Sequence, residues 1–397
     1  MRNQQSPQSD HGKERLASLD GMRAVAVLWV MLFHYLYFWT PTGGGDPLLA
    51  YGDTFARIPL VDVGFFGVQL FFMISGFVIF LTLEKCRSLG EFAVRRIIRL
   101  WPPLLLFGTA TFAIVTLFGP VELRVSVPEY ISSVLIFPPQ HLGRLLGTEG
   151  WQWLDGAYWS LWTEVRFYAV FGVLFFANRS FLIRNWLIFE VIAFAIGLAA
   201  RLHGGNALAA LDGLIFQQSI PYFSFGIASY LVFTGRGTRL VRFLGAFAVF
   251  HAFANLAIYT LSPGSKAYGQ LIQYLLAHAA IILIFYAFAW HKVVMSWFSY
   301  RPLVRLGQAS YGMYLLHQNV GVTILHWSGF SDPVPAAFGI VLTFFLVCAI
   351  SLASYDHIER PLQRWLSHCA FSTGPAAVRF THPKRTAMPV TDAESGP

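Results

Sequence analysis

Arg23 and His34 stand eleven residues apart in a segment that is otherwise almost entirely hydrophobic. In an α-helix, eleven residues rise about 16 Å and make three full turns plus only ~20°, so both side chains would lie on one face. An ionisable side chain inside a membrane span is costly and usually faces a cavity or a partner. A base-capable imidazole deep in a bilayer, aligned with a cation near one surface, therefore predicts a reaction rather than a structural pore.

Glu164 is a second ionisable residue in a hydrophobic segment, with Ser160 and Tyr168 four residues to either side on the same helix face. If this segment enters the bilayer from outside, Glu164 lies about 9 Å below that surface, at a depth comparable to that of His34. Glu164 could hold the imidazole of His34 in its productive tautomer, or act as an acid or base itself. The alternative is a hydrogen bond between helices that only stabilises the bundle.

His317 is a third ionisable residue at comparable depth, and Tyr314 lies on the same helix face. The simplest arrangement is one polar centre in the outer half of the membrane, in which Ser160, Tyr168, Tyr314 and His317 bind substrate. The alternative for His317 is a buried histidine whose hydrogen bonds are satisfied within the protein core.

Arg95, Arg96 and Arg99 form a basic cluster at the start of another hydrophobic segment. Arg96 and Arg99 are three residues apart, so both can reach one side of a helix. Guanidinium groups bind phosphates through paired hydrogen bonds, so the cluster could hold the phosphates of a nucleotide-bearing donor. Arginine is also common at the inner edge of membrane proteins, where it contacts anionic lipid, and that alternative stays open.

The hydrophobic segments themselves make this an integral membrane protein, because 56% of the residues are hydrophobic, 12% are charged and the mean hydropathy is +0.55. A transmembrane helix needs about 20 predominantly apolar residues. The apolar stretch 130–137 is shorter and is predicted to be interfacial or re-entrant. The sequence predicts an all-α integral membrane protein, a bundle of about ten transmembrane helices at 21–39, 63–83, 101–119, 158–177, 183–201, 212–233, 241–261, 268–290, 304–326 and 336–357.

Basic residues orient this bundle, since most of the 28 Lys and Arg residues fall in the N-terminal segment and in loops on its side of the membrane. Cytoplasmic loops carry the excess of Lys and Arg, so both termini are predicted to be cytoplasmic. The formal net charge of +8 then reflects topology and indicates no nucleic-acid partner. Residues 1–16 and the tail 363–397 are predicted to be cytoplasmic and largely disordered, flanking one transmembrane domain at 17–362.

Six sequence elements together resemble the integral membrane acyltransferase-3 family, bacterial enzymes that transfer acyl groups to cell-surface and exported carbohydrates. The elements include an Arg-x10-His pair, an Arg-x-x-Arg pair followed by an aromatic residue and Pro, and a Trp-Ser-Leu-x-x-Glu-x-x-Phe-Tyr stretch. Gln69 departs from the family, many of whose members carry Asp there, and an amide cannot serve as a base. The six elements follow in order at 19–34, 63–77, 96–102, 158–168, 310–317 and 359–361.

The resemblance implies a ten-span fold, an acyl-CoA donor from the cytoplasm and a carbohydrate acceptor. It also implies that Arg23 and His34 are essential and that Arg96 and Arg99 engage the donor. Acyl-CoA, in the simplest case acetyl-CoA, is expected as a co-substrate, with no tightly bound cofactor. The three cysteines are scattered and predict neither a metal site nor a disulfide framework. The expected partners are the lipid bilayer and other membrane proteins of polysaccharide biosynthesis, in the inner membrane of a bacterial cell.

The predicted function is transfer of an acyl group, in the simplest case acetyl, to a hydroxyl of an exopolysaccharide, an O-antigen or a lipid-linked oligosaccharide. His34 would act as general base or accept the acyl group itself, with Arg23 and Glu164 completing the catalytic set. The basic cluster would bind the phosphates of the donor. The sequence shows no esterase-like domain of the kind that some family members append, so the chain is expected to finish the transfer alone or to hand the acyl group to another protein.

Two other functions are compatible with the same sequence. A multi-span transporter or exporter of carbohydrate or lipid-linked intermediates would also bury charges, although the sequence shows no paired repeats with Gly/Pro-broken helices. An unrelated membrane-bound O-acyltransferase with one active histidine would perform the same chemistry with a different set of motifs. Release of free CoA thiol distinguishes an acyltransferase from an exporter.

Overall fold

The structure, a computed structural model of the chain, describes residues 7–203, 206–261, 270–290 and 296–371. Within these residues the regular elements are helices, with no strand among them. The α-helices, numbered in chain order, are α1 (Pro7–Phe33), α2 (Phe66–Leu83), α3 (Leu89–Phe118), α4 (Val127–Val134), α5 (Pro139–Leu145), α6 (Trp159–Ala177), α7 (Leu182–His203), α8 (Asn206–Ile215), α9 (Ile220–Phe233), α10 (Arg239–Leu261), α11 (Leu271–Trp290), α12 (Arg301–Gln308), α13 (Ser310–Leu316), α14 (Asn319–Ser328), α15 (Pro333–Ser354) and α16 (Arg360–Phe371).

Long apolar helices dominate this fold and confirm the prediction of an all-α membrane protein. The eight helical stretches among the described residues that are long and apolar enough to cross a membrane are Ala17–Phe38, Phe66–Leu83, Leu89–Phe118, Gly156–Ala177, Arg179–His203, Arg239–Leu261, Leu271–Ala289 and Pro333–Phe371. The remaining two of the ten predicted spans, 212–233 and 304–326, are not continuous helices, and the prediction was wrong on that point.

Both interrupted spans break where a few polar residues, at 217–219 and 317–319, interrupt otherwise hydrophobic sequence. A turn over residues 216–219 separates α8 from α9, and Phe216 there has a positive φ of 51°. The other span is divided at Ala309 and again at His317, giving α12, α13 and α14. Irregular backbone at membrane depth is tolerated only where protein surrounds it or where it lines a cavity. The breaks therefore indicate where in the bundle polar groups gather.

Helix α1, which carries Arg23 and His34, lies in close contact with α2 and α12. A Cβ added at Gly307 of α12 would lie 1.6 Å from the carbonyl oxygen of Asp20, and one added at Gly67 of α2 would lie 2.5 Å from that of Ala26. Only glycine permits backbones to approach this closely, as is common between membrane helices. These contacts fix the height and rotation of α1 in the bundle.

Two helices end in π-helical turns, a form that is rare in proteins and frequent at functional sites. Helix α1 continues as a π-helix over His34–Phe38, and α15 continues as one over Tyr355–Glu359. Each turn presents an ionisable residue, His34 or Glu359, to a cavity described below.

The predicted boundaries of the transmembrane domain stay predictions, as does the side of the membrane on which the termini lie. Helix α1 begins at Pro7, within the segment 1–16 that we predicted to be disordered, and α16 covers the start of the predicted tail. Residues 1–6 and 372–397 lie outside the described residues. The stretch predicted to be interfacial or re-entrant forms the short helix α4 and the turn after it.

Candidate active site

Two cavities lie along α1, one beside Arg23 and one beside His34. The Arg23 cavity has a volume of about 290 Å³ and is lined by charged side chains from several helices. The His34 cavity, about 750 Å³, is lined mainly by aromatic rings and amide side chains. Val68 of α2 and Tyr314 of α13 line both cavities, so the partition between them is about one side chain thick.

Charged groups of both signs face the Arg23 cavity. Arg23 Nη1 lies 2.7 Å from Asp20 Oδ1. Arg99 lines the cavity as well, and it forms no side-chain ion pair with any residue that the structure describes. Glu359 is buried, and its Oε1 has no hydrogen-bond partner among the described residues. The cavity thus offers two guanidinium groups to a ligand, and of these only the guanidinium of Arg23 forms an ion pair within the described part of the chain.

Glu164 also lines the Arg23 cavity, where it is held by two hydroxyl groups. Its Oε1 accepts a hydrogen bond of 2.7 Å from the Ser75 hydroxyl and another from the Tyr168 hydroxyl. Within the described residues, no hydrogen bond links Glu164 to His34 or His317, and Glu164 is absent from the wall of the His34 cavity. The predicted single polar centre is therefore wrong in its geometry, because Glu164 and His34 belong to different cavities. Depth along a helix can be read from the sequence, but it does not determine the direction in which a side chain points.

His34 has His317 as its polar partner instead. The Nδ1 of His34 lies 2.9 Å from the carbonyl oxygen of Val30 and 3.2 Å from Nε2 of His317. The Nδ1 of His317 lies 2.8 Å from the carbonyl oxygen of Tyr314, so this nitrogen carries a proton and donates it. In a neutral ring the Nε2 of His317 is then an acceptor, and we assign the proton shared with His34 to His34 Nδ1.

This tautomer leaves Nε2 of His34 with a free lone pair, on a side chain that lines the His34 cavity. Other contacts hold the two histidines in register. The Tyr35 hydroxyl donates a 2.8 Å hydrogen bond to the carbonyl oxygen of His317, which is exposed by the break between α13 and α14. His317 is fully buried and lines neither cavity, so it acts on His34 and is not positioned to bind substrate directly.

The three arginines predicted to bind the donor point in different directions. Arg95 Nη2 forms an ion pair of 2.8 Å with Glu91. Arg96 is buried and donates to the hydroxyls of Thr82 and Tyr168. Arg99 alone of the three lines a cavity. Arg99 therefore faces the cavity together with Arg23, and contact of Arg95 and Arg96 with the donor stays a prediction.

Ser160 and Tyr314, two predicted substrate-binding residues, form part of the partition between the cavities. Their hydroxyl oxygens are 2.9 Å apart, and both lie 3.0 Å from the carbonyl oxygen of Ala157. Tyr168, another predicted substrate-binding residue, lies between Glu164 and Arg96 and does not line either cavity. Of the four residues predicted to bind substrate, two therefore line a cavity.

Sequence reasoning missed two carboxylates and one hydroxyl of the Arg23 cavity: Asp20, Ser75 and Glu359. Asp20 and Ser75 stand within stretches that matched the family, and they carried no separate signal. Glu359 is likewise the first residue of the family element at 359–361, but it lies beyond the last predicted span, and the π-helical turn brings its side chain to the cavity. A local helix break of this kind has no periodicity that a sequence would show.

The chain matches the acyltransferase domain of the acyltransferase-3 family over residues 16–353. It is 26% identical over 390 residues to YrhL of Bacillus subtilis, which carries a provisional name as a peptidoglycan O-acetyltransferase; the alignment covers 88% of this chain and 55% of YrhL. It is 23% identical over 393 residues to the O-acetyltransferase OatA of Staphylococcus aureus, with 88% and 57% covered. The chain thus spans little more than half the length of these relatives. No solved structure matches it. With a family match across most of its length, and with multiple membrane-spanning helices, the chain belongs to the acyltransferase-3 family of membrane proteins.

Proposed function

We propose that the protein is a membrane O-acyltransferase that moves an acyl group, in the simplest case acetyl, from acyl-CoA to a hydroxyl of a cell-envelope or exported carbohydrate. The observation that carries the proposal is the His34 side chain in the wall of a large cavity, with Nδ1 beside two acceptors and no hydrogen bond at Nε2 among the described residues. The relatives named as O-acetyltransferases support the same reaction class. The acceptor would be a peptidoglycan-like glycan, exopolysaccharide, O-antigen or lipid-linked oligosaccharide, and the site a bacterial inner membrane.

The donor would enter through the Arg23 cavity. Arg23 and Arg99 supply positive charge there, and the basic segments that flank the same end of α1 favour an anionic ligand. The pantetheine arm of CoA is about 15–20 Å long, similar to the rise of about 16 Å between Arg23 and His34. A thioester at the end of this arm would reach His34 once it passes the partition at Val68 and Tyr314.

The chemistry would begin at His34 Nε2, which removes the proton from the acceptor hydroxyl. The hydroxyl oxygen then attacks the thioester carbonyl, the C–O bond forms, the C–S bond breaks, and the CoA thiolate takes the proton back from His34. The imidazolium that forms in between is stabilised because its Nδ1–H donates to Val30 and to His317. The same lone pair could instead attack the thioester and form an acyl-histidine, a route that differs in leaving a covalent label on His34.

One observation favours the alternative of a transporter. Transporters often place their binding sites at discontinuous helices, and two spans in this structure are interrupted. The two functions differ in one product, because an exporter moves its substrate without cleaving a thioester.

The test measures free-thiol release from acetyl-CoA by the purified protein in lipid nanodiscs, with an acceptor glycan panel that includes peptidoglycan fragments. We expect His34→Ala to lower the rate by about 10²–10⁴-fold, the usual contribution of a positioned base. His326→Ala is the matched control, because His326 belongs to α14 and lines neither of the two cavities; its rate should stay within about twofold of wild type. Normal thiol release by a folded His34→Ala protein would contradict the assignment of His34 as the base. No release by the wild-type protein would favour the transporter alternative.

A further inference from the structure

The turn between α8 and α9 is held by a charged side chain from a neighbouring helix. Phe216 in this turn adopts a left-handed backbone conformation that is uncommon for a bulky residue. Arg166 of α6 reaches the last carbonyl groups of α8, with Nη1 2.5 Å from Gly213 O and 3.0 Å from Leu214 O. A cation at a helix C-terminus is favourable because it meets the negative end of the helix dipole. The break between α8 and α9 is therefore stabilised by a specific contact from another helix.

A buried polar network fixes the same turn from the other side. His251 of α10 lies between Glu190 of α7 and Gln217 of the turn, with Nδ1 3.1 Å from Glu190 Oε1 and Nε2 3.1 Å from Gln217 Oε1. Glu190 and His251 are both 0% exposed, and Gln217 is buried. The Gln217 amide lies against Gly197, where an added Cβ would be 2.6 Å from its Cδ. A side chain at position 197 would therefore displace Gln217.

Such a network is a costly way to join helices in a membrane. Removing a carboxylate from water is unfavourable by several kcal/mol. An apolar contact of the same volume often stabilises the folded protein as much as the buried ionic network does. Arg166 contacts Gly213 and Leu214, and the network contacts the side chain of Gln217, so both act within five residues, 213–217, where α8 ends and the turn begins. This arrangement suggests that what they specify is the conformation of the turn.

The turn and its supports present uncharged polar side chains to the His34 cavity. Gln218 follows Gln217 directly, and because Gln217 is drawn towards His251, Gln218 is free to line the cavity. Tyr222 lies four residues further on, and Asn255 lies four residues after His251 on α10; both line the same cavity. The Nδ2 of Asn255 has no hydrogen-bond partner among the described residues. Amides donate and accept hydrogen bonds, as hydroxyl groups do, and a tyrosine ring offers an apolar face.

We infer that Gln218, Tyr222 and Asn255 form the wall that binds an uncharged, hydroxyl-rich acceptor opposite His34, and that Glu190, His251 and Gln217 are positioning residues for this wall. The inference rests on the proposed function, since it needs acyl transfer in the His34 cavity. It separates two functions: the network determines how tightly the acceptor binds, whereas the thioester chemistry at His34 proceeds without the network.

The test separates these two steps in the full-length protein in nanodiscs. Thiol release from acetyl-CoA is measured without an acceptor, where water is the acyl acceptor, and then against increasing chitotriose, a neutral soluble glycan used as the probe. Gln217→Ala should raise the half-saturating chitotriose concentration about tenfold or more, with the acceptor-free rate and the saturating rate within about twofold of wild type. Asn255→Ala, which removes a wall contact and leaves the network intact, should do the same if Gln217→Ala fails to fold.

Two further variants distinguish positioning from general stability. Glu190→Gln keeps an oxygen that accepts the hydrogen bond from His251 and should retain wild-type half-saturation, whereas Glu190→Ala should not. Leu244→Ala, a truncation in the core of the same helix α10, should lower the melting temperature and leave half-saturation unchanged.

The outcomes are separable. If wild type releases no thiol, the proposed function fails and the inference with it. If wild type releases thiol but chitotriose never accelerates release, the proposed function stands and the acceptor wall is overturned. The inference is also overturned if Gln217→Ala and Asn255→Ala leave half-saturation unchanged, if they lower the acceptor-free rate equally, or if Leu244→Ala shifts half-saturation as much.

Discussion

At His34 the two ring nitrogens face different surroundings, and this asymmetry determines what the side chain can do. Nδ1 is engaged by the carbonyl of Val30 and by Nε2 of His317, whereas the ring itself borders a cavity of about 750 Å³. The proton on Nδ1 of His317 is held by the Tyr314 carbonyl, so hydrogen-bond donation runs in one direction, from His34 to His317 and from His317 to Tyr314. A histidine held in one tautomer in this way can act as a base at Nε2 without first rearranging.

His317 positions His34, so its removal should slow the reaction without weakening donor binding. His317→Ala removes the acceptor for His34 Nδ1–H and should lower the saturating rate roughly 10–100-fold, corresponding to about 1.5–3 kcal/mol for a hydrogen bond to a charged group. The half-saturating acetyl-CoA concentration should change little, because His317 lines neither cavity. His317→Gln offers an amide oxygen to His34 and should recover part of the rate. Equal losses in both variants, or a change confined to acetyl-CoA affinity, would contradict the positioning role.

The second prediction separates the arginines of α3. Arg99 lines the Arg23 cavity, whereas the Arg95 side chain is paired with Glu91. Arg99→Ala should therefore raise the half-saturating acetyl-CoA concentration at least tenfold, and Arg95→Ala, the matched control four residues earlier, should change it less than twofold. Initial rates of thiol release against acetyl-CoA concentration provide the measurement. Similar shifts in both variants would restore the three-arginine site that the spacing suggested.

Among the secondary-structure elements, the sequence predicted the continuous helices well. It did not predict the positions at which helices are interrupted. The eleven-residue spacing of Arg23 and His34 was informative because α1 runs unbroken to Phe33. The breaks at Phe216 and His317 escaped prediction because distant residues hold them: Arg166 reaches the end of α8, and Tyr35 reaches the carbonyl exposed after α13. The mean hydropathy of such a segment shows only that the segment is apolar. The residues that stabilise the break lie far away in the chain.

Close helix contacts lead to a prediction at this scale. A Cβ at Gly226 of α9 would lie 2.0 Å from the carbonyl oxygen of Met73 on α2, so Gly226→Ala must push the two backbones apart. We expect a loss of about 1–3 kcal/mol or more in unfolding free energy, the range for overpacking, and a lower melting temperature by tryptophan fluorescence. Gly213→Ala is the control, since a Cβ there meets nothing within 4 Å, and it should be neutral or slightly stabilising. Equal melting temperatures for the two variants would contradict this account.

Over the whole molecule, the site is divided along α1 into a cavity lined by five charged side chains and a larger cavity whose wall, apart from Asp62 and Arg201, is uncharged. Asp20, Arg23, Arg99, Glu164 and Glu359 all face the first cavity, whereas amides and aromatic rings dominate the second. The partition at Val68 and Tyr314 keeps them apart by about one side chain. A charged nucleotide donor would thus suit the Arg23 cavity, and an uncharged acceptor would suit the His34 cavity. Only the acyl group would need to lie between the two cavities.

This division predicts that the reaction is sided. The Arg23 cavity lies towards the N-terminal end of α1, on the side where the basic residues accumulate, and the phosphates of CoA cannot cross a bilayer unaided. Membrane vesicles that expose their cytoplasmic face should therefore release thiol from added acetyl-CoA, whereas sealed vesicles of the opposite orientation should release less than about a tenth as much. Permeabilising the latter with detergent should restore the rate, which controls for the amount of active protein. Equal rates in both sealed preparations would mean that the donor reaches His34 from the other side, and the assignment of the charged cavity to CoA would then be wrong.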